Sequence, residues 1–518
     1  MIEESASVGR KLLSGSLLRV GHLVAAGIAS FCLMPFIVRH LGDRAYGFWS
    51  LTATFIGYYD LLDLGLSSAA SQYLSIAIGR ADQTECRAVF NASLRIQSLL
   101  GGIALLATGA MAAAAPWLCH DPNDAHLFWK VIVILGINAS IGFPVKVYGG
   151  VLAVEFRFDI QSWLQILQLA LRTGLVVSVL LTGGGLLGLA YATLLAMLPI
   201  SVLQIWFARR EASWCRIESK PMGLKRLKSL FSYSIHTFLA YLADILRFQV
   251  DTVVISGLIG LVAVTHYRVA SVLAQYYLQI LIVSIGMLQP VLSRFYGAAN
   301  RAGLERLFFF GTKLSCCISV FVCFALIAWG KPFITRWMGV RYGDAYRPLI
   351  LLSIAVFLDV SQKPSIDLLY ATFKHRFYTY MNWAEGLLNL VCSLVLARPL
   401  GILGVATGTL IGAFLIRVVL QPWCVCKAAE LKYGAYIRYV GKNILYCAVL
   451  MVAAITTVSW GLQPTYISLI SSAACATSIY AIASWWLILD HAERKRFTNS
   501  IFRSSVNNVA YTSTVPTR

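Results

Sequence analysis

Of 518 residues, 58% are hydrophobic and only 13% charged, and the mean hydropathy is +0.72, whereas a soluble protein of this size carries roughly 25% charged residues to wet its surface. The formal net charge of +20 raises nucleic acid as a partner, but the 43 Lys and Arg lie in short connectors and singly within apolar runs, not on one polar face. A nucleic-acid binder and a soluble enzyme are thereby excluded, and a chain embedded in membrane lipids remains.

In chain order, apolar runs long enough to cross roughly 30 Å of hydrocarbon, about 20 residues each, fall at residues 17–38, 46–70, 90–114, 127–149, 163–182, 186–207, 233–257, 266–289, 307–329, 349–371, 378–397, 402–422, 443–461 and 466–489. They predict an all-α polytopic membrane protein with about fourteen transmembrane helices and no soluble domain. Residues 1–14 hold Glu3, Glu4, Arg10 and Lys11, and the first run lacks a convincing cleavage site, so it is expected to remain as an anchor. With the N-terminus cytoplasmic, the inner segments hold Arg80 and Arg87, seven basic residues from Arg209 to Lys228, Arg294, Arg301 and Arg306, Lys374 and Arg376, Lys427 to Lys442, and Arg494 to Arg503. The outer segments Pro116 to His126, Thr182 to Gly185, Gly257 to Thr265 and Leu462 to Thr465 have no Lys or Arg. This positive-inside bias places both termini in the cytoplasm. Trp329 to Pro348 departs from it with Lys331, Arg336, Arg341 and Arg347, and is expected to be an interfacial, partly amphipathic segment.

The basic connector at residues 209–229 falls where two six-helix halves, residues 1–208 and 230–423, would join, leaving 424–518 for the last two spans and a cytoplasmic tail. A shift of 218 residues supports a repeat: it places Gly42 on Gly260, Tyr58-Tyr59 on Tyr276-Tyr277, Gly79 on Gly297, Phe90 on Phe308 and Arg95 on Lys313 without a gap. Such halves enclose a path and rock to open it to each side in turn. The 12 cysteines are scattered, and neither Cys316-Cys317 nor Cys424-Val-Cys426 has zinc or redox spacing. They read as small apolar filler, and no histidine cluster suggests a metal or other cofactor.

The motif Leu41-Gly42-x3-Tyr46-Gly47-x-Trp49-Ser50, followed by Tyr58-x4-Asp63-Leu64-Gly65-Leu66, resembles the first two spans of the Wzx-type polysaccharide or O-antigen flippases. Gln249-Val250-Asp251-Thr252-Val253-Val254-Ile255 and then Gly260-x6-Tyr267-x2-Ala270 resemble their seventh-span signature. That family lies within the multidrug/oligosaccharidyl-lipid/polysaccharide (MOP) exporter superfamily, and the likeness covers roughly residues 12–425. It implies two MATE-like six-helix bundles plus two C-terminal helices. It also implies translocation of an undecaprenyl-diphosphate-linked oligosaccharide across a bacterial inner membrane for O-antigen or exopolysaccharide synthesis. A polysaccharide polymerase and a chain-length regulator are the partners such a pathway offers.

Charges at the bilayer centre cost about 2.5–3.5 kcal/mol each, so Asp244, Arg247 and Asp251 in the seventh span require protein or water around them. Spaced i, i+3, i+7, they share one helical face, as do Asp359, Lys363 and Asp367 of the tenth span at i, i+4, i+8. Further stripes are Gln161, Gln165, Gln168 and Arg172; Arg268, Gln275 and Gln279; Asn382, Glu385 and Asn389; and Asp60, Asp63 and Ser67. Two readings stay open. In one they line a hydrated cavity where Arg172, Arg247, Arg268, Lys363 or Arg417 meets diphosphate or anionic sugar; in the other, Arg247 and Lys363 neutralise the acids on their own helices as buried pairs. A carboxylate among Asp60, Asp63, Asp251 and Glu385 is a candidate for coupling to protons or sodium. His22, on the face of Arg19, and the two tyrosine pairs read more simply as a satisfied core histidine and as interfacial anchors. An enzyme is not expected: the longest outer loop is about twenty residues with Asp344 its only acid, and no phosphate loop or nucleophile elbow occurs. Within the same superfamily, a MATE-like cation-coupled multidrug exporter and a lipid-linked peptidoglycan-precursor flippase stay open as alternatives.

Overall fold

The computed structural model describes residues 2–63, 66–80, 82–118, 122–217, 239, 242–247, 249–285, 288–372, 374, 376–458, 465–488, 490, 491, 493 and 494. Much of the basic connector, the tail beyond residue 494 and the side chain of Arg19 lie outside them. The α-helices are α1 (Ile2–Leu41), α2 (Asp43–Gly57), α3 (Leu66–Gly79), α4 (Gln83–Ala113), α5 (Ala115–Leu118), α6 (Pro122–Val154), α7 (Phe158–Leu181), α8 (Gly185–Glu211), α9 (Val250–Leu258), α10 (Leu261–Ile285), α11 (Leu288–Gly297), α12 (Arg301–Trp337), α13 (Tyr346–Ser361), α14 (Lys363–Ala371), α15 (Arg376–Leu400), α16 (Ile402–Phe414), α17 (Gln421–Ala429), α18 (Tyr433–Val458) and α19 (Tyr466–Leu487). No strand occurs among the described residues. In hydrocarbon a spanning segment must satisfy its backbone groups internally, and only a helix does so within one segment.

Eleven of the expected spans, the first, third to sixth and ninth to fourteenth, hold helices long and apolar enough to cross a membrane. Four of the expected spans depart from a continuous helix. The second span breaks into α2, a 3-10 turn at Tyr58–Asp63, and α3. In the seventh, Gln249 is a turn residue and caps α9. The tenth breaks at Gln362 between α13 and α14, and the twelfth passes from α16 through a π-helical stretch, Leu415–Leu420, into α17. All four interrupted spans carry ionisable residues, the association expected where non-helical backbone builds a site.

The chain forms two compact units, Met1–Tyr276 with Thr379–Gly412 and Tyr277–Tyr378 with Ala413–Arg518. In the first, Leu74, Phe90, Tyr148, Val151 and Trp214 pack into one buried cluster, and Phe48, Phe128, Val131, Ile132 and Ala190 into another. In the second, α12, α18 and α19 pack through Val320, Cys447, Met451, Ala476 and Tyr480. Leu106, Val202, Ile467 and Leu487 stay exposed on outer faces, the surface lipid wets. Among the described residues the cysteines are free and mostly buried. The basic segment Trp329 to Pro348 comprises the last turns of α12, Gly339 with positive φ (110°), a 3-10 turn at Val340–Ala345 and the start of α13; Arg336 and Arg341 lie over the rings of Tyr466 and Tyr342.

The 218-residue shift maps local structure as well as letters. Gly42 and Gly260 both have positive φ, 80° and 126°, directly before α2 and α10. Asp82 and Asn300 both cap the next long helix, accepting from Glu85 N and Gly303 N at 2.9 Å. Phe90 and Phe308 are both fully buried.

Candidate functional site

Two stripes that look independent in the sequence meet rung by rung. Asn382, Glu385 and Asn389 on α15 repeat the i, i+3, i+7 spacing of Asp244, Arg247 and Asp251. Asn382 Nδ2 donates to Asp244 Oδ1 at 3.2 Å, Arg247 Nε to Glu385 Oε1 at 2.5 Å, and Asn389 Nδ2 to Asp251 Oδ1 at 3.2 Å. Arg247 and Glu385 are 7% and 3% exposed, so the pair is desolvated and its partners depend on each other for compensation.

Asp251 closes this ladder in a shell of neutral donors: Tyr267 from α10, Asn389, and Thr409 Oγ1 from α16 at 3.2 Å. Thr409 Oγ1 and Ser393 Oγ also reach Asn389 Oδ1, at 3.2 and 3.0 Å. Glycine brings α16 this close to α15. A Cβ on Gly404 would stand 2.0 Å from Leu396 O, on Gly408 2.6 Å from Ser393 Oγ, and on Gly412 3.2 Å from Glu385 O. Gly404-x3-Gly408-x3-Gly412 is a small-residue ridge of the kind that lets membrane helices touch backbone to backbone. The spacing is present in the sequence; read for packing rather than charge, it would have pointed to Thr409.

The 3-10 turn of the second span holds Asp60 and Asp63. Asp60 pairs with Lys146 at 2.6 Å with both groups well exposed, a contact worth little. Asp63 accepts from Ser67 Oγ at 2.7 Å and from Gln97 Nε2, which also reaches Ser67 Oγ at 3.0 Å.

In the second unit, Arg417 lies fully buried within the π-helical stretch. Its Nε is 3.0 Å from Asp359 Oδ1, its Nη1 donates to Gln421 Oε1 at 2.6 Å, and it stands over the Tyr378 ring. Gln421 Nε2 donates to Gln362 O at 3.0 Å and Tyr436 OH to Gln362 Oε1 at 2.8 Å, so side chains satisfy the polar groups at the break. Lys363 pairs with Asp367. Asp359 thus draws its cation from Arg417 on another helix, a pairing that spacing along one helix does not reveal.

Arg172 and Arg268 form no ion pair among the described residues. Arg172 is exposed in the middle of α7, with Gln165 exposed and Gln168 half-buried on the same stripe; Arg268 is half-buried, with Gln275 and Gln279 exposed below it on α10. Ionisable side chains within membrane spans as a rule face the protein interior or water rather than lipid. His22 is half-buried. Tyr59 and Tyr277, expected as interfacial anchors, are buried and bonded to Thr108 Oγ1 (2.9 Å) and Ser319 O (2.6 Å). The repeated motifs also acquire physical reasons: Gly47 lies so close to α10 that a Cβ would fall 1.9 Å from Leu261 O, Tyr267 holds Asp251, and Ala270 is fully buried. No group of three or more His, Cys, Asp or Glu suited to a metal ion occurs among the described residues.

Interrupted membrane helices that bury ionisable ladders define a polytopic transporter. Residues 14–296 match the family described as polysaccharide biosynthesis protein, and the chain belongs to that family. It is similar to the uncharacterized membrane protein EpsK of Bacillus subtilis (strain 168), with 21% identity over 475 residues, 90% of this chain and 93% of the relative. Among solved structures, its fold is that of the lipid II flippase MurJ in an inward closed conformation (TM-score 0.69, 14% identity, 95% of this chain and 99% of that one). An inward-facing multidrug resistance MATE family transporter of the MOP superfamily is also similar (TM-score 0.64, 19% identity, 79% and 95%). The resemblance to Wzx-type members of the MOP superfamily, carried by the motifs around Gly42 and Gly260, stands on this family and fold.

Proposed function

We propose that this protein flips an undecaprenyl-diphosphate-linked oligosaccharide repeat unit across the bacterial inner membrane, by alternating access, for synthesis of a surface polysaccharide. The observation that carries the reading is the coincidence of charge and broken helix in a chain of the polysaccharide biosynthesis family. Arg172 and Arg268, which have no acidic partner among the described residues, take the diphosphate, because a guanidinium meets phosphate oxygens through two parallel bonds. Arg247 and Arg417 tie helices together through Glu385 and Asp359, and Lys363 pairs with Asp367 on its own helix. Asp251, surrounded by neutral donors, is the carboxylate best placed to load a proton or sodium ion; Asp60 and Asp63 are engaged by Lys146 and by Ser67 with Gln97. Both termini are cytoplasmic, the substrate and membrane lipids are the immediate partners, and a polymerase with its chain-length regulator acts next on the far side. No catalytic role is assigned to any residue.

Cells lacking the protein are expected to accumulate lipid-linked repeat units on the inner leaflet and to lose surface polysaccharide, with cationic-drug sensitivity unchanged. Normal polysaccharide together with drug hypersensitivity would replace this reading with a multidrug exporter, and accumulation of peptidoglycan precursor with a precursor flippase.

A further inference from the structure

Within the first unit, α3, α4, α6, α7 and α8 surround a cavity of about 400 Å³, inside the range of small-molecule sites, roughly 300–1,000 Å³. Its polar wall includes Ser67, Ser93, Gln97, Lys146, Gln161 and Gln204.

The three glutamines share one arrangement. Gln97 Nε2 donates to Asp63 and Ser67, Gln161 Nε2 to Gly149 O at 2.9 Å, and Gln204 Nε2 to Val145 O at 3.2 Å. Carboxylate and carbonyl oxygens only accept, so each amide nitrogen is held by the protein, and all three Oε1 oxygens keep their acceptor capacity. Gln97 Oε1 and Ser93 Oγ, one turn apart on α4, have no hydrogen-bond partner, and their residues are 1% and 5% exposed. A helical Ser or Thr commonly returns its hydroxyl to the i−4 carbonyl, as Thr108 does to Ala104 O at 2.8 Å; Ser93 does not. Glycine makes room for this wall: a Cβ on Gly149 would lie 2.7 Å from Gln204 Nε2.

The lining residues include no acid, and their one cation, Lys146, is paired with Asp60. A neutral wall with unused acceptors selects a neutral ligand rich in donors. Leu66, Leu74 and Ile96 supply apolar surface beside it, which suits the C–H faces of a sugar ring. We propose that this cavity holds one neutral, polyhydroxylated ring of the transported saccharide, its hydroxyls donating to Gln97, Gln161 and Gln204 and meeting Ser93. The proposal rests on the reading of the protein as a saccharide-lipid flippase and places a sugar subsite in the first unit.

The test uses the full chain in lipid nanodiscs and, as probe, the free oligosaccharide released by mild acid from the host's lipid-linked repeat unit, with binding followed by calorimetry and saturation-transfer NMR. The wild type is expected to bind it, and Ser93→Ala and Gln204→Leu to bind at least tenfold more weakly. Ser93→Ala should melt no lower than wild type, because its hydroxyl makes no internal bond; should Gln204→Leu misfold on losing its hold on Val145, Ser93→Ala decides alone. Unchanged binding in Ser93→Ala, or displacement of the oligosaccharide by tetraphenylphosphonium, overturns the proposal. So does a wild type that ignores the oligosaccharide while cells still export the repeat unit, a result that leaves the flippase reading intact. Normal export from cells lacking the protein defeats that underlying reading, whatever the binding result.

Discussion

Replacing Arg247 by Met strips a buried carboxylate of its cation. Arg247 Nε stands 2.5 Å from Glu385 Oε1 with both residues more than nine-tenths buried, so water cannot take the cation's place. Removing one partner of such a pair costs about 3–5 kcal/mol, whereas exchanging both for apolar groups is neutral to stabilising by about 1–4 kcal/mol. Arg247→Met and Glu385→Leu should therefore each be destabilising by about 3–5 kcal/mol, and the double variant should recover all of one penalty and much of the other. At about 2 °C per kcal/mol, the low end for large chains, the single variants would melt roughly 6–10 °C below wild type and the double variant within about 2 °C of it. Thermal denaturation of nanodisc-embedded protein followed by tryptophan fluorescence measures this, and the double-mutant cycle isolates the coupling. Single variants that melt with wild type, or losses that add in the double variant, would refute the reasoning. Export then divides the roles: a stable double variant that still exports shows the ladder to be scaffold, and one that does not places it in the transport cycle.

Gly404→Ala should force α16 away from α15, since its Cβ would lie 2.0 Å from Leu396 O; overpacking of this kind costs about 1–3 kcal/mol, visible as lost monodisperse protein in fluorescence-detected size exclusion. Arg172→Ala should abolish export with melting unchanged within about 1 °C, because the side chain is exposed and makes no ion pair among the described residues; Arg172→Lys should restore only part, as an ammonium lacks the planar fork. Full export by Arg172→Ala removes that residue from the diphosphate site. Asp251→Asn keeps the shape and the contacts of Tyr267 and Thr409 but loses the charge; in proteoliposomes its transport should no longer respond to an imposed proton or sodium gradient, and a response equal to wild type would move coupling elsewhere.

The charge of the seventh and eleventh spans was readable because a helix repeats every 3.6 residues, so Asp244, Arg247 and Asp251 had to share a face, and so did Asn382, Glu385 and Asn389. That these two faces meet each other was not readable: the partners are 138 residues apart, and no local rule couples the phase of two distant helices. The breaks were hidden for a related reason. Hydropathy averages over a window and cannot see that Tyr58–Asp63 tightens to 3-10, that Leu415–Leu420 loosens to π or that the tenth span breaks at Gln362, because the cost of such a break is met by side chains from elsewhere in the chain, as by Gln421 at Gln362 O.

By itself the sequence determined the properties that solvent and helical period dictate: a helical membrane chain, the stripes that lipid would reject, and a 218-residue repeat that pairs glycines and aromatic residues. The tertiary structure alone decided which acid each base answers, that Arg172 and Arg268 lack such a partner among the described residues, and that Ser93 and Gln97 share a wall. Those outcomes depend on distances between helices, and three glycines at 404, 408 and 412 set one of them by what they lack.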